Sequence, residues 1–175
     1  IDVDAWDVDW YVYSTYKVFG PHLAVLYGRD EALAELPGPN HDFIPRDDLP
    51  YQFEPGGANH EGCAGLLALG GYLAFLAGAP AGAVCDRAVV EAAFARAAAL
   101  EEGPTARLLE WLRSRPGVRI VGPAQAGPAR VGTVSFVHER KSSREITAAV
   151  DDSGVAIRCG HMYAHHLCRA LGLDL

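Results

Sequence analysis

The sequence predicts an α/β fold, on three observations. Segments rich in aromatic and β-branched residues read as strands, Trp10-Tyr11-Val12-Tyr13-Ser14 foremost. Between such segments lie stretches with helical apolar spacing and recognisable end signals. Beyond Gly103-Pro104, strand and helix signals alternate with turn residues between them, the pattern of a small α/β sandwich.

In chain order, the first strand is followed by a polar tripeptide and Gly20-Pro21, then by a second strand at Leu23-Ala24-Val25-Leu26-Tyr27. Gly28-Arg29-Asp30 turns into a short helix stopped by Pro37-Gly38-Pro39. Residues 37–59 are rich in Pro, Asp, Asn and Gly and predict a long loop, of the kind that usually serves a site or an interface. A helix spans Glu61 to Gly78. A second begins at Asp86, an N-cap residue, places Val89, Val90, Ala93, Phe94, Ala97 and Leu100 on one face, and stops at Gly103-Pro104. Then come helix 105–114, strand 118–121, strand 131–137, helix 142–150, strand 155–158 and helix 162–171. Ser142 with Glu145 spells a capping box, and Gly154 suits the end of that helix. A domain boundary is expected near Gly103-Pro104, giving parts 1–103 and 104–175.

Of the 175 residues 50% are apolar and 21% charged, which supports a core and excludes disorder. Lys and Arg number 15 against 22 Asp and Glu, for a net charge of −7. Without a basic cluster, neither nucleic acid nor an anionic membrane is expected as a partner. Residues 63–84 carry no charge and are long enough to cross a bilayer. Their glycines, Pro80 and lack of basic flanks favour instead a buried, tightly packed helix. The 4 cysteines are widely spaced without a C-x-x-C pair, which predicts a reduced, cytoplasmic protein. The opening Ile1-Asp2-Val3-Asp4 has neither initiator Met nor basic leader, and the sequence is expected to be a piece of a longer one.

The most informative segment is Ser14-Thr15-Tyr16-Lys17-Val18-Phe19-Gly20-Pro21. A lysine follows an apolar strand directly, among aromatic residues, on a turn held by Gly20-Pro21. Burial would favour its neutral amine, the form that makes a Schiff base with an aldehyde cofactor. Ser14 offers a hydroxyl at the strand end, suited to a phosphate. A solvent-facing lysine in a hairpin turn is the plainer reading of the same residues.

This segment resembles the active-site lysine motif of the class V aminotransferases, the pyridoxal-phosphate family that includes cysteine desulfurases. Phe53-Glu54-Pro55-Gly56-Gly57-Ala58-Asn59 resembles the family's F-E-x-G-T-x-N segment. Ala156-Ile157-Arg158-Cys159-Gly160-His161-Met162-Tyr163-Ala164 resembles its R-x-G-H-x-C-A loop. The three occur in the family's order, and the match is nearest to its cysteine desulfurase-like branch. The resemblance implies a fold type I pyridoxal-phosphate-dependent transferase, with 1–103 from the large domain and 104–175 most of the small one. It implies pyridoxal 5'-phosphate bound covalently to Lys17, its phosphate held by Ser14, by Tyr16 where the family usually has His, and by the backbone of Gly57 where the family has Thr. Arg158 and His161 would face an amino-acid substrate. Because the middle motif normally serves the neighbouring subunit, a homodimer is implied.

The desulfurase nucleophile is a loop cysteine, and Tyr163 stands at its position. The implied function is therefore a pyridoxal-phosphate enzyme acting on an amino acid, not a true desulfurase. The alternatives are a desulfurase using another loop cysteine, Cys159, and a catalytically incompetent piece; Cys168 lies further on, on the helix expected next. In the family, the aspartate at the pyridine nitrogen and the stacking histidine precede the lysine motif, and the carboxylate-binding arginine follows the last one. Cys159, His161, His165, His166 and Cys168 also lie close in sequence, a set zinc would accept. With His161 already explained as the loop histidine, no metal is expected.

Overall fold

The computed structural model describes residues 1–173; residues 174 and 175, the end of the expected small domain, lie outside the described residues. The chain packs as two units, Ile1–Ala93 and Phe94–Leu175. Both are mixtures of helices and small antiparallel sheets, in keeping with an α/β class.

The first unit opens with α1 (Val3–Trp6), capped by the Asp2 carboxylate, which accepts from the Ala5 N–H at 3.0 Å. That N–H holds the Asp2 carboxyl below its ordinary range, with a further push from Arg87 at 3.6 Å. Strands β1 (Trp10–Ser14) and β2 (Ala24–Gly28) pair antiparallel, from Trp10↔Gly28 to Ser14↔Ala24. Gly28 is required by close approach: a Cβ there would stand 2.7 Å from the Trp10 ring and 2.8 Å from Leu33. Helix α2 (Asp30–Glu35) follows directly, and Arg29 at its start reaches Asp7 at 2.6 Å. Residues 36–59 contain neither helix nor strand, as the sequence predicts.

Helix α3 (His60–Ala77) begins where the Asn59 side chain accepts from the Gly62 N–H at 2.8 Å and ends at Gly78, in the left-handed conformation. The expectation of a buried helix is corrected here. Only Gly62, Leu73 and Ala74 are buried along it, while Leu67 is 84% and Phe75 78% exposed. The helix is long and apolar enough to cross a membrane. Burying an all-round apolar helix takes a second layer, and the first unit leaves most of α3 uncovered.

Helix α4 (Arg87–Arg113) starts as expected, with the Asp86 carboxylate accepting from Val89 N–H at 2.9 Å. It does not stop at Gly103-Pro104 but runs through, with Pro104 inside it. Proline removes one hydrogen bond and crowds the preceding turn. Thr105, Leu109 and Leu112, at helical spacing just beyond, are each at most 7% exposed, so packing carries the helix across the break. The division between the units and the boundary expected at Gly103-Pro104 thus both fall inside α4.

In the second unit β3 (Val118–Val121) pairs antiparallel with β4 (Ser135–His138). The strand expected from Val131 begins only at Ser135. The guanidinium of Arg130 takes the Val131 carbonyl at 3.1 Å, the Thr133 carbonyl at 2.7 Å and that of Pro123, diverting acceptors a ladder would use. Helix α5 (Ser143–Val150) carries the predicted capping box. The expected strand 155–158 is absent: among the described residues this stretch pairs with no strand, and it is largely exposed. Helix α6 (His165–Ala170) starts later than expected, because Met162 (φ 49°) and Tyr163 (φ 64°) occupy the left-handed region.

Two effects of the capping box follow. Ser142→Ala should lower stability by about 1 kcal/mol, read as a lowered denaturation midpoint. The Ser142 backbone N–H, aided by its hydroxyl, lowers the Glu145 pKa from its ordinary 4.5. A lowered folded pKa means the contribution is complete above pH 4.5 and is lost as pH falls below it through the folded value. The stability gap between wild type and Glu145→Gln should therefore shrink between pH 7 and pH 3.

Candidate functional site

The lysine turn is built where β1 ends. Ser14 occupies the N-cap position of a 3-10 turn, Thr15–Val18, and makes no side-chain cap bond to it. Thr15 is fully buried and closes the base of the loop. Its N–H donates to the Leu23 carbonyl at 2.8 Å, and its hydroxyl lies 2.5 Å from the Pro21 carbonyl and 3.0 Å from that of Leu23. Its own carbonyl accepts the N–H groups of Phe19 and Gly20. Phe19 takes the left-handed conformation (φ 70°), which reverses the chain. A Cβ on Gly20 would stand 2.9 Å from Thr15 Cβ and 3.0 Å from Thr15 O, so only glycine fits against the lock.

On this frame Ser14 is half-buried and Lys17 exposed. Among the described residues no carboxylate pairs with Lys17. The structure agrees with the plainer reading of a solvent-facing lysine: this chain holds the backbone of Lys17 but does not cover its side chain. The ring of Tyr16 stacks on His22 at 5.0 Å and 25°, and Phe19 meets Tyr72 of α3 edge to face at 5.4 Å. Gly57 lies exposed on the loop before α3, with open space where a Cβ would point.

The third motif lies in the other unit. Arg158 is exposed on the unpaired stretch, as is Cys159. His161 folds the loop: its Nδ1 accepts from the Tyr163 N–H at 3.1 Å and its carbonyl from the Ala164 N–H at 2.7 Å. The Gly160 N–H donates to Ser143 Oγ at 3.2 Å, tying the loop to the first residue of α5. Tyr163 is 97% exposed, so its phenol stands clear of the loop that carries it. His161 and His165 meet edge to face, and so do His165 and His166. Among the described residues no group of three His, Cys, Asp or Glu side chains is placed to hold a metal ion.

The structure thus brings Ser14, Tyr16 and Lys17 together on one turn. Two residues the sequence reading passed over, Thr15 and His22, prove to brace it. The only signal for Thr15 was a β-branched polar residue at a strand end ahead of Gly-Pro.

Comparison with known proteins places the chain in a family. It matches the family model of class-V aminotransferases over residues 1–174 and belongs to that family. Among curated relatives, Aminotransferase-like protein FGM3 of Gibberella zeae is 32% identical, over 99% of this chain and 41% of that protein. A cysteine desulfurase of Synechococcus elongatus is 32% identical over 99% of this chain and 26% of its own length. A probable cysteine desulfurase of Pseudomonas putida is 32% identical, with 99% and 41% covered. The chain therefore spans roughly a quarter to two fifths of the length of these relatives.

Gly20→Ala should cost about 1–3 kcal/mol through the clash with Thr15. Chemical denaturation checks this, and Gly57→Ala, which meets open space, is the control.

Proposed function

We propose that the whole protein is a pyridoxal 5'-phosphate-dependent enzyme of the class V aminotransferase family that acts on an amino acid. The observation that carries this reading is the locked turn that presents Lys17 with Ser14 and Tyr16 beside it. The donor set fits the cofactor in kind. It comprises an amine with no ion-pair partner among the described residues, a hydroxyl not spent on capping, a phenol, and in Gly57 a backbone N–H with no side chain in the way.

When bound, pyridoxal phosphate supplies the aldehyde and the electron-withdrawing ring that acidify an amino acid's α-C–H. Lys17 provides the amine for covalent attachment and then takes or returns the proton at that carbon. Ser14 and Tyr16 donate to the phosphate, fixing the cofactor's distance from the lysine. Gly57 reaches the phosphate of a neighbouring subunit. Arg158 and His161 serve the substrate side.

On this reading residues 1–103 belong to the large fold type I domain and 104–175 to the small one. The exposed Leu67 and Phe75 of α3 support further packing, read as the rest of the polypeptide and a homodimeric partner. All 4 cysteines are free, which supports a cytoplasmic location. A second reading, cysteine desulfurase, has its support in the relatives bearing that name and in the exposed Cys159. Tyr163 at the nucleophile's position argues against it, since a phenol does not replace a thiolate in attack on sulfur.

Borohydride reduction of the full-length protein with pyridoxal phosphate should leave a pyridoxyl group on Lys17, found by peptide mass spectrometry. Lys17→Ala should lose it entirely. Equal labelling of Lys17 and Lys141 in the wild type would refute the assignment. Tyr163→Cys should raise sulfide release from cysteine about tenfold or more. An unchanged rate would show that the loop residue is not what separates this protein from a desulfurase.

A further inference from the structure

We propose that Thr15 is a positioning residue for Lys17, its buried hydroxyl cross-linking the ends of the turn and so fixing where the lysine amine stands. The inference rests on the reading of Lys17 as the cofactor lysine. Thr15 is a polar side chain with 0% exposure, and a buried hydroxyl is expected to serve a partner that needs it. Here neither partner does. The Leu23 carbonyl already accepts the Thr15 N–H at 2.8 Å, and the Pro21 carbonyl already accepts the Leu23 N–H at 2.8 Å. The hydroxyl has a single proton to give, and the shorter approach, 2.5 Å against 3.0 Å, directs it to Pro21.

Its effect is therefore geometric. The bond joins the residue two before Lys17 to the residue four after it, across the loop in which the lysine sits. The Thr15 carbonyl meanwhile holds Phe19 and Gly20 from the inner side. Thr15 thus grips the turn at its near end and its far end at once. Since Lys17 itself is exposed, with no ion-pair partner among the described residues, backbone placement is what aims its amine. Reaction between held groups is steep in position, so a loosened turn should cost reactivity at Lys17 out of proportion to stability.

The test compares wild type with Thr15→Val, which keeps the shape and removes the hydroxyl, and Thr15→Ser, which keeps the hydroxyl. Each full-length protein is given limiting pyridoxal phosphate and reduced with borohydride, and the ratio of label at Lys17 to label at Lys141 is measured. In cofactor-free protein, amide hydrogen exchange is followed over residues 16–20. Thr15→Val should lower the labelling ratio roughly tenfold to a hundredfold and speed exchange in the turn, with Thr15→Ser close to wild type in both. Wild-type ratio and exchange in Thr15→Val would overturn the inference while leaving the cofactor reading intact. Absence of label on Lys17 in the wild type would overturn the cofactor reading and this inference with it. Should Thr15→Val not fold, Thr15→Ala against Thr15→Ser decides the same point: a selective Ser variant beside an unselective Ala variant supports the lock, and equal behaviour refutes it.

Discussion

A lysine placed just beyond the end of a strand inherits that strand's precision only if the chain returning from the turn is fastened to the chain entering it. In this protein the fastening is Thr15, which extends the β1–β2 ladder by one N–H bond to Leu23 and adds a side-chain bond to Pro21. Because its carbonyl also takes the N–H groups of Phe19 and Gly20, the loop has no slack at its base. Gly20 then has to be glycine, Phe19 has to turn left-handed, and Lys17 has a fixed root. The Tyr16–His22 stack adds a brace above this base. The result is a fastened backbone beneath an exposed amine.

The apolar surface of the first unit follows a related logic. Leu67 and Phe75 on α3, and Val12 and Leu26 on the paired strands, are all more than half exposed. A solvated helix of that composition is unfavourable at about 25 cal/mol per Å² of apolar surface. The relatives the chain matches are more than twice its length. In the proposed enzyme these side chains are therefore core positions awaiting their opposite layer, and the enclosure of Lys17 is to come from the same source.

Local signals were legible in the sequence where a single residue decides an outcome. Asp86 and Ser142 cap their helices as their chemistry dictates, and the aromatic run at Trp10–Ser14 is a strand. The turn before Gly20-Pro21 was legible too, because its residues are contiguous. What sequence could not show were outcomes set by packing or by competition for hydrogen bonds. Pro104 reads as a stop, but the buried Thr105, Leu109 and Leu112 outweigh it. Val131-Gly132-Thr133 reads toward a strand, but Arg130 takes its carbonyls. Val155–Arg158 has strand composition and, among the described residues, no partner to pair with. The burial expected of α3 failed because hydrophobicity tells that a surface needs covering, not which residues cover it.

The 158–164 loop shows how a backbone fixes which side chain is offered. Successive left-handed residues at Met162 and Tyr163 cost on the order of 1–2 kcal/mol each, and the His161 ring and carbonyl offset part of this by accepting from Tyr163 and Ala164. The result is a bend whose outermost side chain is Tyr163. On the reading proposed above, this is the position of the family's sulfur-attacking cysteine. Cys159 lies before the bend, and its thiol would need the loop to refold in order to stand where Tyr163 stands. On the reading proposed above, Tyr163 in that place is what separates the amino-acid chemistry proposed for Lys17 from sulfur transfer.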